Sequence, residues 1–385
     1  MPLGLERLFE PAEVGGQTCP NRMVLAPLTR SRAREDGVPT ALMAEYYAQR
    51  SGAGLIVSEG TVVSPQGASY ARVPGLYSPE QVEGWKPVVG AARSRGAIVY
   101  AQLWHVGRQA HSSAQPDRLP GWAPSAIPIL SAQYRSPAGR IPFEVPRELS
   151  AEGIRGVVGQ FATAARNALE AGFDGVELHG ANGYLIDQFL NAGSNQRADQ
   201  YGGTFTNRIR FLAEVLDALG EVIPLERVGL RLSPSSTWMD MQDPDKRGLY
   251  SAVVRLASAR GLSYLHLVEP GIAGSTEAAD ARDTVVSSAE LGALFNGPLI
   301  VTGGHTAESA AARIEAGTAD LVGFGRLFIA NPDLPFRFQT GAELEPLRRE
   351  GLYAGGAAGY TDYPHHPDNP HSTRKEDPLC ALSTP

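Results

Sequence analysis

Glu177-Leu178-His179-Gly180-Ala181-Asn182-Gly183-Tyr184 closes an apolar run that begins at Gly175, and reading that run as a strand with a polar exit decides the fold. A short apolar run bounded by glycines is what a strand buried on both faces looks like. Seven more runs share the pattern: Met23–Leu28, Leu55–Ser58, Ile98–Leu103, Val228–Ser233, Tyr264–Val268, Leu299–Thr302 and Leu321–Phe324. The segments between them, such as Gly153–Ala171, Asn207–Leu219, Ser251–Arg260 and Ala307–Ala316, carry apolar residues at helical spacing. Strands alternating with helices imply a parallel sheet, and eight is the number that closes a barrel. The expected fold is a single α/β domain over residues 1–363, a (β/α)8 TIM barrel, followed by a poorly ordered tail over 364–385.

Nearly every run ends, on its C-terminal side, in a group with chemical use: Thr29, Glu59-Gly60, Gln102 with Trp104, His179, Arg231, Gly303-Gly304 and Gly325-Arg326. The C-terminal rim of a (β/α)8 barrel is where function is built. The longest irregular stretch follows the third run, from Gly107 to about Glu148, and its Pro, Ser and Gly content predicts a capping loop or short hairpin over the mouth.

The bulk numbers exclude several classes. The chain has 385 residues, with 43% hydrophobic and 19% charged, an ordinary composition for a packed domain. Its formal charge of −7 and the absence of a Lys/Arg stripe argue against a nucleic-acid partner. The only cysteines, Cys19 and Cys380, lie at opposite ends, so no disulfide framework, thiolate metal site or iron–sulfur cluster is expected. The first residues lack a signal-peptide pattern and no run is long enough to span a bilayer, which predicts a cytoplasmic protein away from the membrane, monomeric or homodimeric.

In the opening stretch, a histidine, an amide and a phenol fall within six residues. Two can donate hydrogen bonds to an electron-rich oxygen and the third can deliver a proton, which suits polarising a carbonyl and protonating the carbon beside it. Spacing alone leaves their convergence open. His179 and Asn182 would align if the turn were helical, and Tyr184 would then point elsewhere. A histidine at a strand end also serves simple structural ends.

Gly303-Gly304 before a helix, and Gly325-Arg326 after the last strand, offer backbone amides and a guanidinium to a phosphate. Either pair alone could be a tight turn, but both at the last two strands favour phosphate. Arg231 inside a strand needs an anionic or strongly polar partner, either a reduced flavin or a structural carboxylate such as Glu177. Gln102 could bind a ligand edge or satisfy backbone groups. Trp104, Tyr70 and Tyr353 could line an apolar pocket with polar tips, with His105 behind them. No Gly-x-Gly-x-x-Gly follows a strand, so a mononucleotide such as FMN fits better than FAD.

From Leu8 to about Tyr363 the chain resembles the Old Yellow Enzyme family of FMN-dependent ene-reductases, in particular its bacterial xenobiotic-reductase members. The resemblance is carried by Ala26-Pro27-Leu28-Thr29-Arg30, Ala101-Gln102-Leu103-Trp104-His105, the stretch Glu177–Tyr184, Ser194-Asn195-Gln196-Arg197 with Asp199-Gln200-Tyr201-Gly202-Gly203, Gly325-Arg326 with Ala330-Asn331-Pro332-Asp333, and Gly359-Tyr360-Thr361-Asp362-Tyr363. It implies that Pro27, Leu28, Thr29 and Gly60 contact the flavin ring, that Gln102 and Arg231 hold its pyrimidine edge, and that Gly303, Gly304, Gly325 and Arg326 hold the phosphate of non-covalent FMN. It implies that His179 and Asn182 bind the activating oxygen of an α,β-unsaturated carbonyl or nitro substrate, with Tyr70, Trp104 and Tyr353 around it. Tyr184 would then give the proton, and NADPH or NADH would be the reductant. Some members carry a second histidine where this chain has Asn182, and a subgroup has cysteine in place of Thr29. The residues after Tyr363 run past the family pattern.

Alternative readings are a reductase of nitroesters or nitroaromatics, a flavin-free phosphate-binding lyase barrel, and a catalytically silent flavin-binding barrel. Relatives of the dienoyl-CoA or trimethylamine type need an iron–sulfur cluster and further nucleotide-binding domains, for which the cysteines and the length are lacking.

Overall fold

The computed structural model describes residues 2–136, 139–270, 272–273, 276–277 and 285–370. All eight expected runs are strands: β1 (Met23–Leu25), β2 (Leu55–Val57), β3 (Val99–Trp104), β4 (Gly175–Gly180), β5 (Val228–Leu232), β6 (Tyr264–Val268), β7 (Leu299–Thr302) and β8 (Leu321–Phe324). Each pairs in parallel with the next; β8 pairs with β1 and β3 with β4, so the sheet closes into a barrel. The first run is shorter as a strand than its apolar length suggests. Ala26 still donates to the Phe324 carbonyl at 3.2 Å, but Pro27 has no N–H with which to continue the ladder.

Helices ring the barrel: α1 (Ala41–Gln49), α2 (Pro79–Arg93), α3 (Ala151–Glu170), α4 (Leu185–Leu190), α5 (Phe205–Gly220), α6 (Lys246–Ala259), α7 (Ser288–Gly292), α8 (Ala307–Glu315), α9 (Arg326–Ala330) and α10 (Leu334–Thr340). Their starts are written locally. Ser78 caps α2 in a capping box with Pro79 in its first turn, and the Ser150 hydroxyl accepts from Gly153 N–H at the head of α3. The buried face of α3, Ile154, Val157, Phe161, Ala164, Ala165 and Ala168, follows the helical period. Phe161 there meets Phe211 of α5 edge-on at 6.5 Å, and truncating it to alanine would cost about 3–5 kcal/mol.

The barrel floor is an apolar plug of Val24, Leu55, Tyr100, Tyr264, Ile300 and Leu321, closed from below by Val14 and Cys19 of the hairpin Ala12–Val14/Gln17–Cys19. Its two phenol rings fit because two inward positions are glycine: a methyl at Gly175 would lie 2.5 Å from the Tyr100 ring, and one at Gly229 would overlap Tyr264. Forcing either methyl in would cost roughly 1–3 kcal/mol by overpacking.

The expected capping insertion is present. It holds an antiparallel hairpin (Gln133–Ser136 with Gly139–Pro142) and a short parallel pair (Trp122–Ala123 with Arg147–Glu148). It bridges opposite sides of the C-terminal rim: the Tyr134 hydroxyl donates to Ser69 O at 2.8 Å, and the Arg108 guanidinium donates to Met239 O at 2.8 Å. Of the expected tail, residues 364–370 run beside α10, where Arg337 donates to Pro364 O at 3.0 Å and His366 N–H to Asp333 at 2.6 Å. Residues 371–385 lie outside the described residues. No described helix is long and apolar enough to cross a membrane, and no described group of side chains forms a metal cluster.

Candidate active site

Side chains alternate in and out along each strand, so the barrel interior is layered. Above the apolar plug lies a polar layer. Glu177 of β4 sits opposite Gln102 of β3 in register and accepts from its Nε2 at 2.7 Å. The other Glu177 oxygen is 2.7 Å from His266 Nδ1 of β6, and His266 Nε2 is 2.7 Å from the Thr302 hydroxyl of β7. Arg231 of β5 stands in register between His179 and His266. Sequence reasoning offered Glu177 as its structural partner. Among the described residues the two form no ion pair; Glu177 is taken by Gln102 and His266, and the buried Arg231 Nε has no hydrogen-bond partner. The Arg231 guanidinium makes no hydrogen bond to any other described residue, which leaves the layer with a donor suited to a polar ligand edge.

One layer higher are Trp104 of β3 and His179 of β4, their rings 6.3 Å apart. Burial first, and the Arg231 charge next, hold the His179 imidazole well below its ordinary pKa, so it is neutral. Its Nδ1 accepts a long hydrogen bond, 3.4 Å, from Ala181 N–H. That leaves the ring proton on Nε2, where it can be donated.

The turn after β4 has the geometry that spacing left open. It is not helical: Asn182 and Gly183 have φ of 57° and 72°, both left-handed. The reversal brings Tyr184 back onto the site instead of away from it. Its ring meets His179 edge-on at 4.8 Å and Trp104 edge-on at 4.9 Å. Gly183 is required twice, by its φ and because a Cβ would press on Met239 and Met241 at 3.1 Å. The Asn182 backbone is fixed on both sides, donating to Ser233 Oγ at 2.8 Å and accepting from Gln109 Nε2 at 2.9 Å, while its side-chain Oδ1 has no partner among the described residues.

Behind the turn, Asp187 accepts from Gly183 N–H, Tyr250 OH and Asn191 Nδ2, each at 2.8 Å. Burial pushes its carboxyl up to about 6 despite these donors. Gln188 adds a bond from its amide to Gly183 O at 2.7 Å. Burial, with Tyr70 as a further cause, raises the Tyr184 phenol well above its ordinary range, so it keeps its proton. Tyr70 also stacks on Trp104 at 5.6 Å and, with 36% of its surface exposed, marks the rim. Tyr353, on the C-terminal segment, is 49% exposed. His105 lies beneath, and its carbonyl accepts from Leu185 N–H at 3.0 Å; burial pushes its imidazole down to about 3.

The other expected residues also lie at strand exits. A Cβ on Gly60 would be 2.6 Å from Trp104, so this glycine is dictated by packing whatever lies above it. Pro27 is buried and Leu28 and Thr29 are half-buried where the chain leaves β1. Gly303 and Gly304 leave β7 ahead of α8, which Thr306 caps. Gly325 is the residue before α9, and Arg326 is exposed there. A Cβ on Gly325 would touch Leu28 at 3.3 Å, which ties the β8 and β1 exits together.

Sequence reasoning missed three supports. His266 was readable as the inward partner of Tyr264 two residues on. Asp187 was hidden inside an apolar helix. Glu59 was noted only as a strand-end residue. Its carboxylate accepts from Arg30 N–H at 3.2 Å, with burial pushing it up to about 7. Beside it, Arg30 donates to Leu352 O at 3.0 Å and Gly359 O at 2.6 Å, and Tyr360 stacks on Tyr46 at 4.2 Å. This clamp fastens the segment bearing Tyr353 to the β1 exit.

Residues 7–345 match the model of the NADH:flavin oxidoreductase / NADH oxidase family. The chain is 44% identical over 374 residues to 12-oxophytodienoate reductase 7 of Oryza sativa subsp. japonica, covering 93% of this chain and 94% of that protein. It is 40% identical over 366 residues to a probable flavin mononucleotide-dependent alkene reductase of Leishmania infantum, covering 94% and 98% respectively. Among solved structures, morphinone reductase in complex with tetrahydroNAD superposes with a TM-score of 0.87 at 42% identity, covering 94% of this chain and 98% of that one.

Proposed function

Because the chain belongs to the NADH:flavin oxidoreductase / NADH oxidase family, with Old Yellow Enzyme-type reductases as its relatives, we propose that it is an FMN-dependent ene-reductase. Its substrates are α,β-unsaturated carbonyl and nitro compounds, and NADPH or NADH is the reductant. FMN, when bound, supplies the hydride chemistry. The residues that would hold it fit the group: the unpartnered Arg231 Nε and the Gln102 amide suit a polar ring edge, and Gly303, Gly304, Gly325 and Arg326 a phosphate. Pro27, Leu28, Thr29 and Gly60 complete the proposed contacts at the exits of β1 and β2.

The observation that carries the reading is the convergence of neutral His179 and protonated Tyr184 beside the Trp104 ring. His179 Nε2–H and the Asn182 amide bind the activating oxygen and stabilise the negative charge that develops on it. Tyr184 donates its phenolic proton to the α-carbon. Trp104, Tyr70 and Tyr353 confine the substrate and exclude water. The same reading takes the enzyme as cytoplasmic, a monomer or homodimer.

Anaerobic stopped-flow on the purified protein tests the proposal. NADPH or NADH should bleach a yellow protein, and cyclohexenone, a nitroalkene or a nitrate ester should restore the colour in an order that ranks the substrate classes. A colourless protein that cannot be reconstituted with FMN would end this reading. His179→Ala should weaken phenol and enone binding by about 5–30-fold, the loss of about 1–2 kcal/mol of hydrogen bonding.

A further inference from the structure

The polar layer contains a carboxylate that the proposed chemistry does not use. Glu177 is fully buried at the centre of a hydrogen-bonded row that crosses β3, β4, β6 and β7: Gln102, Glu177, His266, Thr302. Burial opposes its charge, but His266, Arg231 and Gln102 together bring it below the ordinary carboxylate range, so it is ionised. An ionised carboxylate can only accept hydrogen bonds. Its neighbours therefore have no choice of direction. His266 turns Nδ1–H to it, and Gln102 turns its amide N–H₂ to it.

This fixes which way the Gln102 amide faces, and so where it presents its acceptor. With Nε2 turned to Glu177 and one of its two N–H groups used there, the amide's Oε1 faces away from Glu177 and accepts no hydrogen bond among the described residues. Arg231, on the far side of Glu177, presents donors only. The pyrimidine edge of a flavin alternates carbonyl, N–H, carbonyl. Two of those groups need donors and one needs an acceptor, and the layer holds that complement only while the Gln102 amide stays in this orientation.

We infer that Glu177 is a positioning residue for the cofactor: it locks the Gln102 amide so that an acceptor, not a donor, meets the ring N–H of the flavin. The inference rests on the FMN reading above. A glutamine at 177 has one donor and one acceptor arm in place of two acceptors, so Gln102 and His266 can no longer both donate to it, and the Gln102 amide is free to flip.

The test is FMN titration of apoprotein, followed by flavin fluorescence, for wild type, Glu177→Gln, Gln102→Leu and the double variant. Glu177→Gln should weaken FMN binding by about tenfold or more, the cost of one mismatched buried hydrogen bond. In the Gln102→Leu background the same change should add less than about threefold, because the residue it acts through is gone. The midpoint potential of the bound flavin should shift in Glu177→Gln and not shift further in the double variant. Unchanged affinity in Glu177→Gln, or losses that simply add in the double variant, would overturn the inference and leave Glu177 a structural ion. Should Glu177→Gln not fold, Glu177→Asp keeps the charge but draws it back by one methylene; wild-type FMN affinity in that variant equally overturns the inference. Wild-type apoprotein that binds no FMN at all defeats the functional reading instead.

Discussion

Two stretches of the same rim are built on opposite principles. The turn after β4 is held by side chains: Asp187, Gln188, Gln109 and Ser233 each hydrogen-bond its backbone, and two consecutive left-handed residues depend on them. The turns after β7 and β8 rest on glycine backbone and a capped helix start. The first arrangement fixes where two side chains point. The second needs only to expose backbone N–H groups, and no side-chain geometry has to be defended. Changes near β4 should therefore alter the rate of one chemical step, and changes near β7 and β8 should alter occupancy by the cofactor.

The largest effect expected on this basis is at Tyr184. Tyr184→Phe keeps the ring that packs on Trp104 and His179 and removes only the proton. Reoxidation by an enone should slow by about 10²–10⁴-fold, the range for loss of a positioned general acid, while bleaching by NAD(P)H stays within about threefold of wild type. Stopped-flow traces of the two halves separate these outcomes. Equal loss in both halves would mean that the turn orders the whole pocket.

Next is the support beneath the turn. Asp187 must accept from three donors, and a carboxylate has the capacity where an amide does not. Its carboxyl titrates at about 6, above the ordinary Asp value of 3.8. Enone-driven reoxidation should thus be full above that pH and decline as pH falls through it, as protonation removes an acceptor from the turn. Stability runs the other way for this group. The folded state holds the proton more tightly than the unfolded chain, so stabilisation from this site grows as pH falls from 6 to 3.8 and amounts to about 3 kcal/mol. Asp187→Asn should show about a tenfold slower reoxidation at pH 8 and a flat profile around pH 6. An unchanged acid limb in the variant would assign that limb to another group.

The barrel was legible because strands buried on both faces read as unbroken apolar runs, and its helices because their buried faces keep the helical period. What failed was chain reversal and distance. Asn182-Gly183 favours left-handed backbone by composition, yet spacing alone left open whether the turn brings Tyr184 to His179. The contacts that orient the site join residues far apart in sequence: Glu177 with His266, and Arg30 with Gly359. Neither end carries a local signal, since a buried arginine that donates to backbone carbonyls looks in sequence like one that binds a ligand. The fold separates the two: Arg30 donates to the backbone carbonyls of Leu352 and Gly359, whereas the Arg231 guanidinium makes no hydrogen bond among the described residues.

The smallest effect, and the sharpest probe of the backbone-built side, is at Gly304. Its φ of 70° is left-handed, but a Cβ there would meet nothing nearer than Ile272 at 4.0 Å. Gly304→Ala therefore pays conformation alone, about 1–2 kcal/mol. The neighbouring Gly303 differs, because a Cβ would overlap the Glu269 side chain, which is itself tied to Arg313 at 2.5 Å and Ser288 at 2.6 Å. If these turns serve only to present backbone N–H groups, Gly304→Ala should weaken FMN binding by about tenfold at most and leave both half-reactions of the loaded enzyme at wild-type rates. Gly303→Ala should weaken it further, since Glu269 must move. A Gly304→Ala enzyme that binds FMN normally but reoxidises slowly would erase the distinction between the two sides of the rim, because it would mean that backbone geometry after β7 reaches the proton-transfer step after β4.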